Sequence, residues 1–176
     1  MQMLEFFRTH GPLIHAQNVS VGWYDEDRSF ATYCCLFNSE IFEGFEGVRR
    51  NLMDDKLPQY PMIAVELADK IIRGLDYLAY RNYAWGDMKG VRFIKVTACM
   101  HTNLMNMSML VSEAWLHNGS EISLYQLQRA IVLAYQTAEY FGWDIQRIIL
   151  EKTKFNKTRA DHQRKNRTGK PGEKTC

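Results

Sequence analysis

Two apolar, helix-periodic stretches of this 176-residue chain carry acid pairs at the same three-residue interval, which restricts its folding more than any other feature. The first pair, Glu40 and Glu43, flanks Ile41 and Phe42. The second, Glu66 and Asp69, flanks Leu67 and Ala68. A spacing of three sets both carboxylates of a pair on one helical face, one turn apart. Carboxylates turned toward a helical interior repel one another and raise each other's pKa. A divalent cation removes that cost, and an all-oxygen set suits Mg²⁺, with Mn²⁺ as a substitute. A lone ExxE is usually a solvated helix surface. Two such pairs on successive helices, each among apolar residues, favour acids that face each other. Glu46 and Asp76 continue the two faces as extra ligands or supporting partners. Arg73, one turn beyond Asp69, is expected to form an ion pair.

The rest of the chain also reads as helical. A short helix is expected over 12–21, ended by Gly22, and a turn over Trp23–Arg28. Ser29 is a natural N-cap for a helix running to about Asn51, with Tyr33, Leu36, Phe37, Ile41, Phe45 and Val48 near a 3.6-residue period. Gly44 and Gly47 weaken that helix by ~1 kcal/mol each, but permit a neighbour to pack closely. After a proline-containing turn over 54–61, helices are expected at about 62–80, 99–117, 123–141 and 144–158, with Asp144 as an N-cap. Residues 82–90 read as a loop, and 91–97 fit either a strand or an extended linker. The expected fold is all-α, an antiparallel helical bundle over 1–160 followed by a basic flexible tail over 161–176.

Hydrophobic residues make up 46% and charged residues 24%, as in ordinary globular proteins. No apolar run reaches the ~18 residues of a membrane span, so no membrane partner is expected. Met1–Glu5 carries an acid and no basic run, so the expectation is a cytoplasmic protein without a secretory leader. Cys34, Cys35, Cys99 and Cys176 show no zinc-ligand spacing and read as reduced thiols. The net charge of +2 hides an asymmetry: from Lys152 onward nine Lys/Arg face two acids, giving +7 and leaving −5 for the body. Such a tail suits a polyanionic partner.

Around its acid pairs the chain resembles the MazG-like all-α nucleoside triphosphate pyrophosphohydrolases, whose signature is ExxE, a variable gap, then ExxD on the next helix. Four segments carry the resemblance in order. They are Gly22–Phe30, which looks like the family's Gly-Trp turn; Ser39–Glu43; Val65–Asp76; and Lys152–Arg159, which looks like its closing K-x-x-[YF]-N-x-x-R. The likeness covers about 12–80 and 144–174. Members with a doubled acid show Glu where this chain has Ser39, and 82–120 is longer than a minimal member needs. The tail is also similar to those of phage-encoded members, among them the MazZ-type (d)GTP pyrophosphohydrolases, which would put the protein in a host cytoplasm.

The resemblance implies hydrolysis of an NTP or dNTP to the monophosphate and diphosphate, with (d)GTP the preferred guess, by a homodimer or homotetramer. Glu40, Glu43, Glu66 and Asp69 would hold one or two Mg²⁺ ions and supply catalysis. One of these carboxylates, or Glu46, would orient the attacking water. Lys152, Asn156 and Arg159 stand at helical offsets 0, 4 and 7, a layout suited to gripping a polyphosphate, with Lys165, Arg167 and Lys170 able to close over it. Trp23 and Tyr24 could stack on a base, and Asn18 or Asn38 could address its edge. Met105, Met107, Met109 and Trp115 read as core or subunit interface. A competing reading is a nucleic-acid-binding helical module that uses the basic tail. It leaves the matched acid spacing unexplained, so nucleic acid is not the expected partner.

Overall fold

The computed structural model describes residues 2–85 and 93–159. It is all-helical, with α1 (Met3–Ser20), α2 (Phe30–Arg50), α3 (Met62–Tyr80), α4 (Met100–Leu116), α5 (Glu121–Tyr140) and α6 (Ile145–Thr158). Residues 86–90 of the loop expected over 82–90, the first residues of the 91–97 segment and the basic tail lie outside the described residues. Phe93–Thr97 forms no strand. It is tied instead to fully buried Asn103, whose Oδ1 accepts from the Thr97 amide at 3.0 Å and whose Nδ2 donates to the Thr97 carbonyl at 2.8 Å. None of the described helices is long and apolar enough to cross a membrane.

α3 is the hub, packing against α1, α2, α5 and α6. Its sequence explains why: Ile63, Ala64, Val65, Leu67, Ala68, Ile71, Leu75 and Leu78 are all buried, so apolar side chains surround most of the helix. The ends follow local chemistry. Ser29 Oγ accepts from the Thr32 amide at 3.1 Å, Asp144 Oδ1 from the Arg147 amide at 3.2 Å, and Asn51 closes α2 in the left-handed region at φ 51°.

α1 differs from expectation by starting nine residues earlier. Pro12 therefore lies inside the helix, where it removes a backbone hydrogen bond. Burial offsets this: Phe6 and Phe7 are almost fully enclosed, with the Phe7 ring against Trp85 and Tyr135 at 4.8 and 5.4 Å. At the other end Gly22 takes φ 80°, which lets the chain turn out of the helix.

Close approach fixes α2 and α5 on α3. A Cβ at Gly47 would sit 3.0 Å from Met62 Cβ, and one at Gly44 would sit 2.8 Å from Ile63 Cδ1, so these glycines do admit a neighbour. The tightest contact is at Gly74, where a Cβ would fall 2.5 Å from both Cγ1 and Cδ1 of Ile131. Gly74→Ala is therefore expected to destabilise the protein by about 1–3 kcal/mol despite alanine's better helix propensity. Adding Ile131→Ala should recover part of that loss in a urea-denaturation cycle. Simple additivity of the two costs would refute the contact.

The methionine run divides. Met107 is fully buried, whereas Met105, Met109 and Trp115 are exposed, because successive odd positions on a helix cannot share one face. Phe42 and Phe45 on α2 are also exposed, and the Phe45 ring lies 5.3 Å from His101 at the start of α4.

Candidate functional site

α2 and α3 bring three of the expected acids together. Carboxylate oxygens of Glu40, Glu43 and Glu66 lie within 4.8 Å of one another. Oxygens on opposite sides of a Mg²⁺ ion stand about 4.2 Å apart, so the trio frames a point of suitable size for one hard cation. Glu40 and Glu66 are buried and Glu43 faces solvent. The donors are all oxygen, which fits Mg²⁺ or a similar cation better than a soft metal.

Burial dominates the electrostatics here. It drives the Glu66 carboxyl up to about 9, reinforced by a hydrogen bond with Glu40 and by the charges of Asp69, Glu40 and Glu43. Burial and then the Glu40 charge raise Glu43. With no cation present, burial and its acidic neighbours favour the protonated form of Glu66, hydrogen-bonded to Glu40. Ser39 takes no acid's place: its hydroxyl donates to the Leu36 carbonyl at 2.9 Å and to Glu40 Oε1 at 3.2 Å.

Two internal cations neutralise the remaining charge. Arg73 forms its expected ion pair, with Nε 2.6 Å from Glu40 Oε1. Asp69, the fourth acid, stands outside the trio with Oδ2 2.9 Å from Lys152 Nζ. Burial raises Asp69 against the pull of Lys152. For Lys152 burial works the other way, but the Asp69 charge and hydrogen bond outweigh it and hold the ammonium above its ordinary value. Lys152 is 1% exposed. Its side chain is thus a buried partner of Asp69 on α3. The helix ends at Thr158, and Arg159 follows as its C-cap. Arg49 and Arg50 hold Glu46 on the surface at 2.7 and 3.3 Å, outside the trio.

Beside the acids a solvent-open cleft brings together Asn18, Trp23, Asp69, Arg73, Asp76, Asn156 and Arg159. Tyr33, Leu36, Phe37 and Ile72 form its apolar wall. Glu66, Asp69, Arg73 and Asp76 run along one side of α3, and the rise of an α-helix separates Asp69 from Asp76 by about 10 Å. Asp76 is buried and does not join the acid trio. Its Oδ1 lies 2.8 Å from His15 Nδ1, and its Oδ2 accepts from Asn18 Nδ2 at 2.8 Å. Trp23 is held by its own turn: the Arg28 guanidinium lies 4.4 Å from the ring centroid and also donates to the Trp23 carbonyl. Among the described residues, Asn156 Oδ1 is buried without a hydrogen-bond partner, as is Asn38 Oδ1.

No family model matches the chain, and neither does a curated protein or a solved structure. Any reading of the site therefore rests on its residues.

Sequence reasoning missed His15 and Lys70. His15 and Asn18 stand at i, i+3 on one face of α1, a spacing that marks a shared face but not the buried Asp76 on α3 that both of them meet. Lys70, 2% exposed, interrupts the apolar run of α3, with Nζ 5.8 Å from the centroid of the Phe37 ring. Burial lowers its ammonium to about 7, with Glu40 and Cys34 opposing that fall. Its signal was a lysine at a core position of the apolar period.

Proposed function

We propose that the chain is a divalent-cation-dependent nucleoside triphosphate pyrophosphohydrolase, with Mg²⁺ as the working cation and a MazG-like site. The observation that carries this reading is the trio Glu40, Glu43 and Glu66 at a cleft lined by Arg73, Arg159 and Trp23. An acid cluster, nearby cations and an aromatic wall are what a polyphosphate with a base attached requires. Glu40, Glu43 and Glu66 would hold the cation, and Asp69, kept in place by Lys152, supports them from the next turn. When bound, the cation neutralises phosphate charge and acidifies a water.

The reaction is attack of a water oxygen on the α-phosphorus, with the α–β bridging oxygen leaving on diphosphate. Glu43 is the solvent-facing carboxylate of the trio. It is placed to take the proton the water gives up and to pass it to bulk solvent. Arg73, a third of whose side chain is exposed, neutralises Glu40 while no cation is present and turns to the phosphates once one is. Arg159 grips the polyphosphate from the other side of the cleft. The exposed apolar residues Phe42, Phe45, Met105 and Met109 support assembly as a homo-oligomer.

The test is diphosphate release from eight NTPs and dNTPs in Mg²⁺, in Mn²⁺ and in EDTA. The expected result is metal-dependent release of diphosphate and a monophosphate, strongest for a guanine nucleotide. Silence across the panel from folded protein would remove the proposal.

A further inference from the structure

The cleft's far end, away from the acid trio, holds a hydrogen-bonding pattern that distinguishes between bases. Asn18 and Asp76 both line it. Asn18 Nδ2 donates to Asp76 Oδ2 at 2.8 Å, and His15 Nδ1 holds Asp76 Oδ1 at the same distance. This fixes the Asn18 amide, because turning it over would set its carbonyl against a carboxylate. Tyr24 also donates to Asp76, so what the pair presents to a ligand is the Asn18 carbonyl beside the one position on Asp76 that these three donors leave open, two adjacent acceptors. Asn156 adds a third, a buried Oδ1 with no partner.

Adjacent acceptors need adjacent donors. Adenine sets one amino group beside an acceptor nitrogen, cytosine does the same, and thymine or uracil flanks a single N–H with two carbonyls. Each would bring an acceptor against Asn18 or Asp76, leaving a buried oxygen unsatisfied. Guanine alone among the common bases offers a ring N–H next to an exocyclic amino group on its Watson–Crick edge. The distance along α3 between Asp69 and Asp76, about 10 Å, matches a nucleoside extended from its 5′ end to the far edge of its base. Trp23 and the apolar wall supply ring contact.

We infer that Asn18 and Asp76, oriented by His15, form a base-edge reader that selects guanine through its ring N–H and 2-amino group. This rests on the proposal that the cleft is a nucleotide site, but not on hydrolysis taking place there.

The experiment is equilibrium binding of dGMP, dIMP, dAMP, dCMP and dTMP to the full chain in Mg²⁺ by isothermal titration calorimetry. dGMP should bind tightest. dIMP, which differs only in lacking the 2-amino group, should bind about tenfold more weakly, and dAMP more weakly again. Asn18→Ala should bring the dGMP and dIMP affinities together. The wild-type series decides the matter even where that variant folds poorly. Equal dGMP and dIMP affinities, tighter binding of any other base, or no measurable binding of any monophosphate overturns the assignment. Selective dGMP binding with no diphosphate released from any triphosphate would leave the base reader standing and remove the hydrolase. Metal-dependent hydrolysis without guanine preference would do the reverse.

Discussion

Glu66→Gln is expected to lower metal-dependent turnover by on the order of 10³-fold while making the metal-free protein more stable. Both effects come from the same burial. In the folded, metal-free chain the Glu66 carboxyl is held at about 9 by burial, by its hydrogen bond with Glu40 and by the neighbouring carboxylates. An unfolded glutamate titrates near ~4.3. Between those two values the folded state keeps a proton that the unfolded state has lost. Wild-type stability therefore falls as pH rises through that window and is lowest above about 9. Glutamine cannot ionise, so this part of the decline should disappear, with a gain of about 1–2 kcal/mol at pH 8. Thermal melts in EDTA from pH 5 to 9, paired with diphosphate release in Mg²⁺, check both halves. Turnover within tenfold of wild type would sink the metal-site assignment, and a lower melting temperature at pH 8 would sink the electrostatic one.

Lys152→Ala should destabilise the chain by about 2–4 kcal/mol at neutral pH, one of the largest costs open to a single substitution outside the apolar core. The lysine is 1% exposed and its Nζ lies 2.9 Å from Asp69, whose side chain retains 18% exposure. That residual exposure puts the figure below the full cost of stranding a buried charge. Lys152→Met, which keeps the volume but not the charge, should be nearly as damaging, and adding Asp69→Asn should restore much of the loss. A lysine that only gripped a polyphosphate would behave differently, raising the Michaelis constant at unchanged stability. Urea denaturation decides between them: a loss below about 0.5 kcal/mol would show that the α3–α6 ion pair does not hold the fold together.

Lys152 also shows how far the sequence could be read. Its offset from Asn156 and Arg159 suggested a phosphate-gripping stripe, because helical spacing reports which residues share a face and nothing about what covers that face. α6 packs against α3, and this covers Lys152. Glu46 failed for a related reason: it continues the acid face by count, but Arg49 and Arg50 on its own helix hold it outside. Asn18, Trp23, Asn156 and Arg159 do meet in one cleft with Asp69, although nothing in their spacing required it. His15 was missed because its partner, Asp76, lies 61 residues away on another helix. The start of α1 was missed too, since the burial of Phe6 and Phe7 against other elements is what makes the longer helix worth forming.

The sequence by itself determined the six described helices, the N-caps Ser29 and Asp144, the glycines that let α2 approach α3, and the two acid pairs. These follow from periodicity and from side chains acting on their own backbone, both of which operate over a few residues. Only the tertiary structure decided which acids meet, which cation neutralises which carboxylate, and which methionine is core. Those outcomes depend on distances between residues far apart in the chain. At 3–5 Å in a poorly solvated interior, such distances set the sign and size of every charge interaction, and no local pattern encodes them.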